Sequence, residues 1–257
     1  MNFQAISLFP EIFVPWMKLG LVGQAHAKGL FRLELINPRT FTSDVHQAVD
    51  DKVYGGGDGM AATYDPWAQA IQKSLRLQPE SKVVFLTPQG ASWNQDLAQA
   101  WLEDERPITL VCGRYAGFDE RLILDFSDME ISLGDFVLNG GELPAMAVME
   151  TMVRGIPGVL GEGRSFKEDS FGASGLLEAP QFTRPQEING RAVPSYLLSG
   201  HHQNIQALSR AVSIVRTQQR RPDLIKKAKI SEEQIHQAQQ LLKRLSKEER
   251  ETLGVLT

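Results

Sequence analysis

The chain is poor in cysteine, lacks any long apolar run and carries none of the common catalytic signatures. Cys112 is the single cysteine among 257 residues, which excludes an internal disulfide and a cysteine-based zinc cluster. A reducing cytoplasm is the simplest setting for such a chain. No stretch approaches the ~20 apolar residues that a transmembrane helix needs. The opening run Met1–Phe9 has neither a basic flank nor a small-residue cleavage site, so it reads as a first strand. His-Glu-x-x-His, Gly-x-Ser-x-Gly, a P-loop with Gly-Lys-Ser/Thr and Gly-x-Gly-x-x-Gly after a strand are all missing. His201 and His202 are neighbours and point in different directions, which makes a poor ligand pair. They read as surface or capping residues.

A basic excess is missing too, since the formal net charge is −4. Its distribution says more than its total. Residues 201–257 carry 11 Lys/Arg against 6 Asp/Glu, whereas residues 1–200 carry 16 against 25. The cationic cluster comprises Arg210, Arg216, Arg220, Arg221, Lys226, Lys227 and Lys229. A solvated helical face and an RNA-binding face are equally good readings of it.

What is present has the composition of a globular protein, with 42% hydrophobic and 23% charged residues. Short β-forming runs at Asn2–Leu8, Phe31–Ile36, Lys82–Leu86 and Ile108–Cys112 alternate with helical stretches such as Pro66–Leu77 and Asn94–Glu103. This order predicts an α/β layer with a mostly parallel sheet, its strands apolar because helices cover both faces. Gly161–Gly175 contains four glycines and three serines without apolar periodicity, and reads as a flexible connector. Beyond it a helix is expected over Asn204–Gln219, ended by Pro222. Ser231-Glu232-Glu233-Gln234 is a capping box opening a helix with the stripe Ile235, Ala238, Leu241, Leu242 and Leu245. The organisation is thus an α/β domain over 1–160, a linker over 161–175 and a small, mainly helical domain over 176–257.

Four loops stand out. Val53–Met60 holds four glycines, Leu86–Gly90 follows one strand, Cys112–Arg121 follows the next, and Ile131–Pro144 comes after a third. Glycine lets a ligand approach the main chain closely. Loops at the carboxyl ends of neighbouring strands are where open α/β sheets bind ligands. For any one of these loops alone, a tight structural turn is the better explanation. Three after successive strands point to a shared pocket for a nucleotide-like molecule. Asp169, in the linker, and Arg154, at the end of an apolar helical run, are a turn former and a helix-dipole partner by local pattern alone.

The ordered series Ile6–Pro10, Tyr54–Gly57 with Gly59-Met60, Pro88–Gly90, Val111–Tyr115, Asp119–Arg121, Gly140–Pro144, Ile156–Gly161, Glu168–Phe171, Thr183–Pro185 and Leu197–Gly200 closely resembles the bacterial tRNA (guanine-N(1))-methyltransferases (TrmD family, SPOUT class). The resemblance covers nearly the whole chain. It implies a SPOUT-type parallel sheet with a deep trefoil knot at the end of the first domain. It implies a homodimer whose sites are completed by the partner's linker and C-terminal domain. S-adenosylmethionine would be the methyl donor, held by Leu86, Thr87, Pro88, Gly90, Gly113, Tyr115, Ser132, Leu133, Gly134, Asp135, Phe136, Val137, Leu138, Gly140, Gly141 and Pro144. Asp169 would be the general base and Arg154 its partner at the guanine just 3′ of the anticodon (tRNA position 37), with the anticodon stem-loop as the tRNA element gripped. Family activity is magnesium-assisted, but the sequence shows no dedicated metal motif and no ligands are assigned to the ion. Departures from the family pattern are Ala116 for a frequent glutamate, Phe136 for a tyrosine and Asp58 for a proline. The alternative reading is a non-catalytic RNA-binding dimer with the same fold. A phosphate-binding nucleotide enzyme is weakened because no lysine lies near Gly55–Gly59 or Gly134–Gly141.

Overall fold

The computed structural model describes residues 1–56, 59–160 and 169–255. Gly57, Asp58, the connector residues 161–168 and the last two residues lie outside the described residues, so the departure at Asp58 and the match at Glu168 fall there. The chain divides into two units, Met1–Gly163 and Arg164–Thr257.

The first unit is built on five parallel strands: β1 (Asn2–Ile6), β2 (Arg32–Ile36), β5 (Lys82–Ser92), β6 (Ile108–Cys112) and β7 (Met129–Ser132), in the spatial order β2-β1-β6-β5-β7. A separate antiparallel pair, β3 (Asp50–Lys52) and β4 (Met60–Ala62), brackets the first glycine-rich loop. The helices are α1 (Phe13–Trp16), α2 (Gly20–Ala27), α3 (Tyr64–Leu77), α4 (Gln95–Asp104), α5 (Glu120–Phe126) and α6 (Glu142–Gly155).

Strand alternation sorts the core into two layers, because successive side chains of a strand point to opposite faces. Phe3, Ala5, Val84, Leu86, Leu110 and Cys112 pack with Trp101 of α4 and with Val148, Met149 and Met152 of α6. Ile6, Val83, Phe85 and Val111 pack on the other face with Trp67 and Ile71 of α3 and Leu122 of α5. Full burial of each large side chain is worth about 1.5–3 kcal/mol. The expected α/β layer with helices on both faces is therefore present. Asn94 opens α4 by accepting a hydrogen bond from the Leu97 N–H at 3.1 Å. Past the carboxyl end of α6, Ile156 is already extended ahead of Pro157.

One expectation is corrected. Leu86–Gly90 is not a loop that ends a strand. β5 continues to Ser92 through a bulge, since Leu86 and Ala91 both stand opposite Ile131 of β7. Gly90 makes this possible: a Cβ there would lie 2.3 Å from the Ile131 amide nitrogen. The absence of a side chain lets the bulged strand rejoin its neighbour.

The second unit contains a hairpin of β8 (Glu187–Ile188) and β9 (Arg191–Ala192), then α7 (His202–Arg220), α8 (Pro222–Lys227), α9 (Glu232–Leu242) and α10 (Lys247–Leu253). Asn189 and Gly190 turn the hairpin at φ of 51° and 74°, the pair of positive φ values that suits Asn-Gly. Leu208, Val212 and Val215 of α7 form a core with Ile235 and Leu242 of α9 and Leu253 of α10. The capping box at Ser231 is formed, with Ser231 accepting from the Gln234 N–H and Gln234 accepting from the Ser231 N–H. A second box, Ser246 with Glu249, opens α10. Of the connector, Asp169–Gly175 folds as hydrogen-bonded turns: Asp169 O accepts from Gly172 N, and Gly172 O from Gly175 N.

Candidate functional site

The carboxyl ends of β5, β6 and β7 lie on one edge of the sheet because all three run parallel. The bulge within β5 and the segments that follow β6 and β7 meet around a cavity of about 250 Å³. Of the sixteen positions expected to hold a donor, fourteen line it; Gly90 and Asp135 do not. Gly90 is taken up by the contact with β7, and Asp135 is exposed. Arg114, Ala116, Gly117, Ile131 and Asn139, which lie in the expected loops but were not singled out there, join the lining. The three sequence loops thus converge in one place.

Close crossings of the main chain shape the walls. The Gly141 N–H donates to the Gly113 carbonyl at 2.9 Å, and Arg114 and Gly140 form an isolated antiparallel bridge. A Cβ at Gly113 would lie 2.6 Å from the Phe118 ring, and one at Gly141 would lie 2.7 Å from the Cys112 Cα. Opposite, Ser132 Oγ bonds both the amide and the carbonyl of Gly134 at 3.2 Å, pinning the start of the β7 loop. The walls combine apolar side chains (Leu86, Ile131, Leu133, Leu138 and Pro144) with main-chain polar groups. That is the lining expected for a flat heteroaromatic ligand read by peptide N–H and C=O groups.

Behind the cavity sits a polar cluster that local pattern could not reveal. Glu142, the first residue of α6, is 1% exposed. It accepts from Ser7 Oγ at 2.7 Å and from Arg114 Nε at 3.3 Å, and forms an ion pair with Arg114 Nη2 at 3.0 Å. Arg114 also stacks on the Phe9 ring at 4.4 Å. The partners are up to 135 residues apart in sequence. The only hint was that Arg114 and Glu142 fall in loops already singled out, and Ser7 and Phe9 in the Ile6–Pro10 segment of the resemblance. Next to this cluster, burial and the nearby Glu142 carboxylate push the Cys112 thiol up, so it stays protonated and unreactive at neutral pH.

The β3–β4 pair backs the cavity from outside. Met60 O accepts from Ala116 N at 2.8 Å, Gly117 O from Ala62 N at 2.9 Å, and Ala62 O from Asp119 N at 2.9 Å. Arg154 stands half-buried in the last turn of α6, and Asp169 stands half-buried at the start of the described part of the second unit. His201 and His202 are exposed, His201 at the N-cap of α7 without a side-chain cap bond. No group of three or more His, Cys, Asp or Glu suited to a metal ion occurs among the described residues.

The cationic cluster of the second unit is less uniform than its sequence implied. Arg216 donates to the Leu253 carbonyl at the end of α10 and is partly desolvated, which lowers its pKa. Arg221 forks onto Asp223 at 2.9 and 2.6 Å. Arg210 and Lys229 are exposed and, with Arg184, line a separate cleft of about 1790 Å³.

Comparison with known proteins agrees with this geometry. A model of the family described as tRNA (Guanine-1)-methyltransferase TrmD matches residues 1–227. The tRNA (guanine-N(1)-)-methyltransferase of Marinomonas sp. (strain MWYL1) is 46% identical over 234 residues, 91% of this chain and 93% of that protein. The protein of the same name from Vibrio vulnificus (strain YJ016) is 45% identical over 230 residues, covering 89% and 92%. The one from Synechococcus sp. (strain JA-2-3B'a(2-13)) is 46% identical over 242 residues, 94% of each chain. With its cavity assembled from the residues that carry the resemblance, this chain belongs to the tRNA (guanine-1)-methyltransferase family.

Proposed function

We propose that the protein transfers a methyl group from S-adenosylmethionine to N(1) of the guanine just 3′ of the anticodon in tRNA. The convergence of the β5, β6 and β7 segments on one cavity, in a chain of this family, carries the reading. The donor supplies an electrophilic methyl group on a sulfonium. The protein's tasks are to hold it, to align the guanine and to manage one proton. The apolar and main-chain lining fits an adenosine, and Gly113, Gly140 and Gly141 let the segments that wall it pass one another closely.

The ring N(1) of guanine carries a proton and is a poor nucleophile until that proton is removed. The reading assigns this removal to the Asp169 carboxylate. Negative charge then spreads to the base carbonyl oxygen, where the Arg154 guanidinium stabilises it. The target base turns out of its stack to reach the donor. Arg184, Arg210 and Lys229 supply the phosphate grip on the anticodon stem-loop. Magnesium receives no ligands in this scheme.

The active unit is a homodimer in this reading, and two observations support it. Arg154 lies ten residues beyond Pro144 along α6, on the order of 15 Å at 1.5 Å per residue. That separation from the Pro144 wall supports completion of the site by a second chain. Phe136, Val137 and Leu143 beside the cavity are exposed, Val137 at 87%, an apolar rim of the kind that marks interaction sites. The proposed knot has support of the same sort. After leaving the edge strand β7, the chain returns across the β5 bulge to pair Gly140 and Gly141 with the end of the central strand β6. A tRNA acceptor implies work in the cytoplasm. No helix among the described residues is long and apolar enough to cross a membrane. The non-catalytic alternative gains no support from relatives that bear an enzyme's name.

Incubation with methyl-labelled S-adenosylmethionine and unmodified tRNA, followed by nucleoside analysis, tests the proposal. The expected product is 1-methylguanosine. Label in another nucleoside, or in none, refutes it.

A further inference from the structure

Arg114 is the one charged side chain that lines the donor cavity among the described residues. S-adenosylmethionine has one anionic group, the α-carboxylate of its amino-acid end. We propose that Arg114 binds that carboxylate and that Glu142 is the positioning residue that aims it. The inference rests on the donor-site reading and adds the orientation of the ligand: amino-acid end at Arg114, adenosine against Leu86, Ile131, Leu133 and Leu138.

The fork is fixed in advance. Glu142 takes Arg114 Nε–H and one N–H of Nη2, leaving the outer edge of the guanidinium for a ligand. A carboxylate is the group that accepts two parallel N–H bonds from such an edge. Phe9 stacks on the guanidinium, and Ser7 holds the remaining approach to Glu142. These contacts remove the rotamer freedom that an arginine otherwise loses on binding. Glu142 is itself buried and at the start of α6. An unpaired carboxylate in that position would be costly, so Arg114 has strong reason to stay where it is.

Gly140 belongs to the same device. A Cβ at that position would lie 2.4 Å from Arg114 Nε and 2.5 Å from Glu142 Oε2. The second glycine from the end of the motif is therefore explained by the ion pair rather than by the ligand. Arg114 occupies the position directly before Tyr115, whose φ of 59° turns the chain away.

Two ligands separate recognition from support of the loops. S-adenosylhomocysteine retains the carboxylate, and 5′-methylthioadenosine lacks the whole amino-acid end. Calorimetry of both is done with the full chain, with Arg114→Lys, which keeps charge but loses the fork, and with Glu142→Gln, which keeps shape but loosens the pair. Circular dichroism of each variant checks folding. Arg114→Lys is expected to weaken S-adenosylhomocysteine by about 10- to 100-fold, the worth of a charge-assisted pair of hydrogen bonds, and to change 5′-methylthioadenosine less than about twofold. Glu142→Gln shifts the ratio of the two affinities in the same direction. A parallel fall for both ligands overturns the proposal and leaves the cluster as loop support. Unchanged affinity for both, with weaker binding of tRNA, overturns it in favour of an RNA phosphate at Arg114. If the unaltered chain binds neither small molecule, the donor-site reading itself fails.

Discussion

Gly141→Ala perturbs the cavity at a point where the cost can be worked from geometry. Gly141 has φ −80° and ψ −4°, an ordinary helical conformation, so alanine introduces no backbone strain there. Only the added Cβ matters. It would lie 2.7 Å from Cys112 Cα, 3.1 Å from Gly113 N and 3.2 Å from Cys112 C, against a favourable carbon–carbon separation of about 3.5–4.0 Å. All three atoms are main chain and cannot rotate away. The start of α6 and the end of β6 must separate by roughly 1 Å, stretching the Gly141-to-Gly113 hydrogen bond of 2.9 Å. Overpacking of this kind costs about 1–3 kcal/mol, and no helix-interior gain offsets it, because Gly141 is the N-cap of α6, a position that favours glycine over alanine. Gly113 and Gly141 both wall the cavity, so the separation reshapes it. If 1–3 kcal/mol falls on binding, donor affinity drops about 5- to 150-fold. Calorimetric titration with S-adenosylhomocysteine measures it, alongside thermal unfolding. Unchanged affinity together with an unchanged melting temperature would refute the claim that this crossing is tight.

Asp169→Ala is expected to abolish methyl transfer while leaving donor affinity within about twofold; near-normal single-turnover rates would remove Asp169 from the role of base. Changing Arg184, Arg210 and Lys229 together to Ala should weaken tRNA binding and flatten its dependence on salt, as the loss of phosphate contacts requires. By contrast Arg216→Ala should act on unfolding, because Arg216 caps α10; a salt slope that ignores the triple change argues against the cleft. The Arg121 fork beside Asp119 holds that carboxyl below its ordinary range. A depressed folded pKa means that its stabilisation is present above the unfolded value of about 3.9 and is lost as pH falls through the folded one. The urea-midpoint difference between Asp119→Asn and the parent should accordingly be flat near neutrality and shrink below about pH 4. A difference that stays constant into strong acid contradicts that linkage.

How much could be read in advance depended on the range of the interaction. Strand Ile108–Cys112 was legible because all five residues are buried and four of them are apolar, and Phe31–Ile36 because Phe31, Leu33, Leu35 and Ile36 face the core between exposed Arg32 and Glu34. The Ser231 box was legible because capping is a matter of four consecutive residues. The Asn189-Gly190 hairpin carried an equally local signal, but its strands of two residues are too short to show alternation. β3 and β4 are three residues each, and Asp50-Asp51-Lys52 is wholly polar, so pattern alone gave nothing to find. The continuation of β5 past Pro88 was hidden by residues that usually end strands. Most of the cavity lining was anticipated, whereas the Ser7–Glu142–Arg114 cluster was not. Its members are joined across 28 to 135 residues, and no periodicity reports contacts at that range.

The glycines now have a sharper meaning than close approach of a ligand. At Gly90, Gly113, Gly140 and Gly141, an added Cβ would meet protein atoms at 2.3 to 2.7 Å. Gly90 faces the backbone of β7, Gly113 a phenylalanine ring, Gly140 an ion pair and Gly141 the backbone of β6. The richness in glycine therefore records how tightly the β5 bulge and the segments after β6 and β7 pass their neighbours. Ligand binding follows at one remove, because segments that cross so closely place their free peptide groups around one space. The same crossings support the proposed threading of the chain, since a segment that returns from an edge strand to the middle of the sheet must pass its neighbours within main-chain distance. Substituting these glycines should thus damage the donor cavity through the fold, whereas Asp169 and Arg154 can be changed with the cavity intact. Donor binding and methyl transfer should separate along that line.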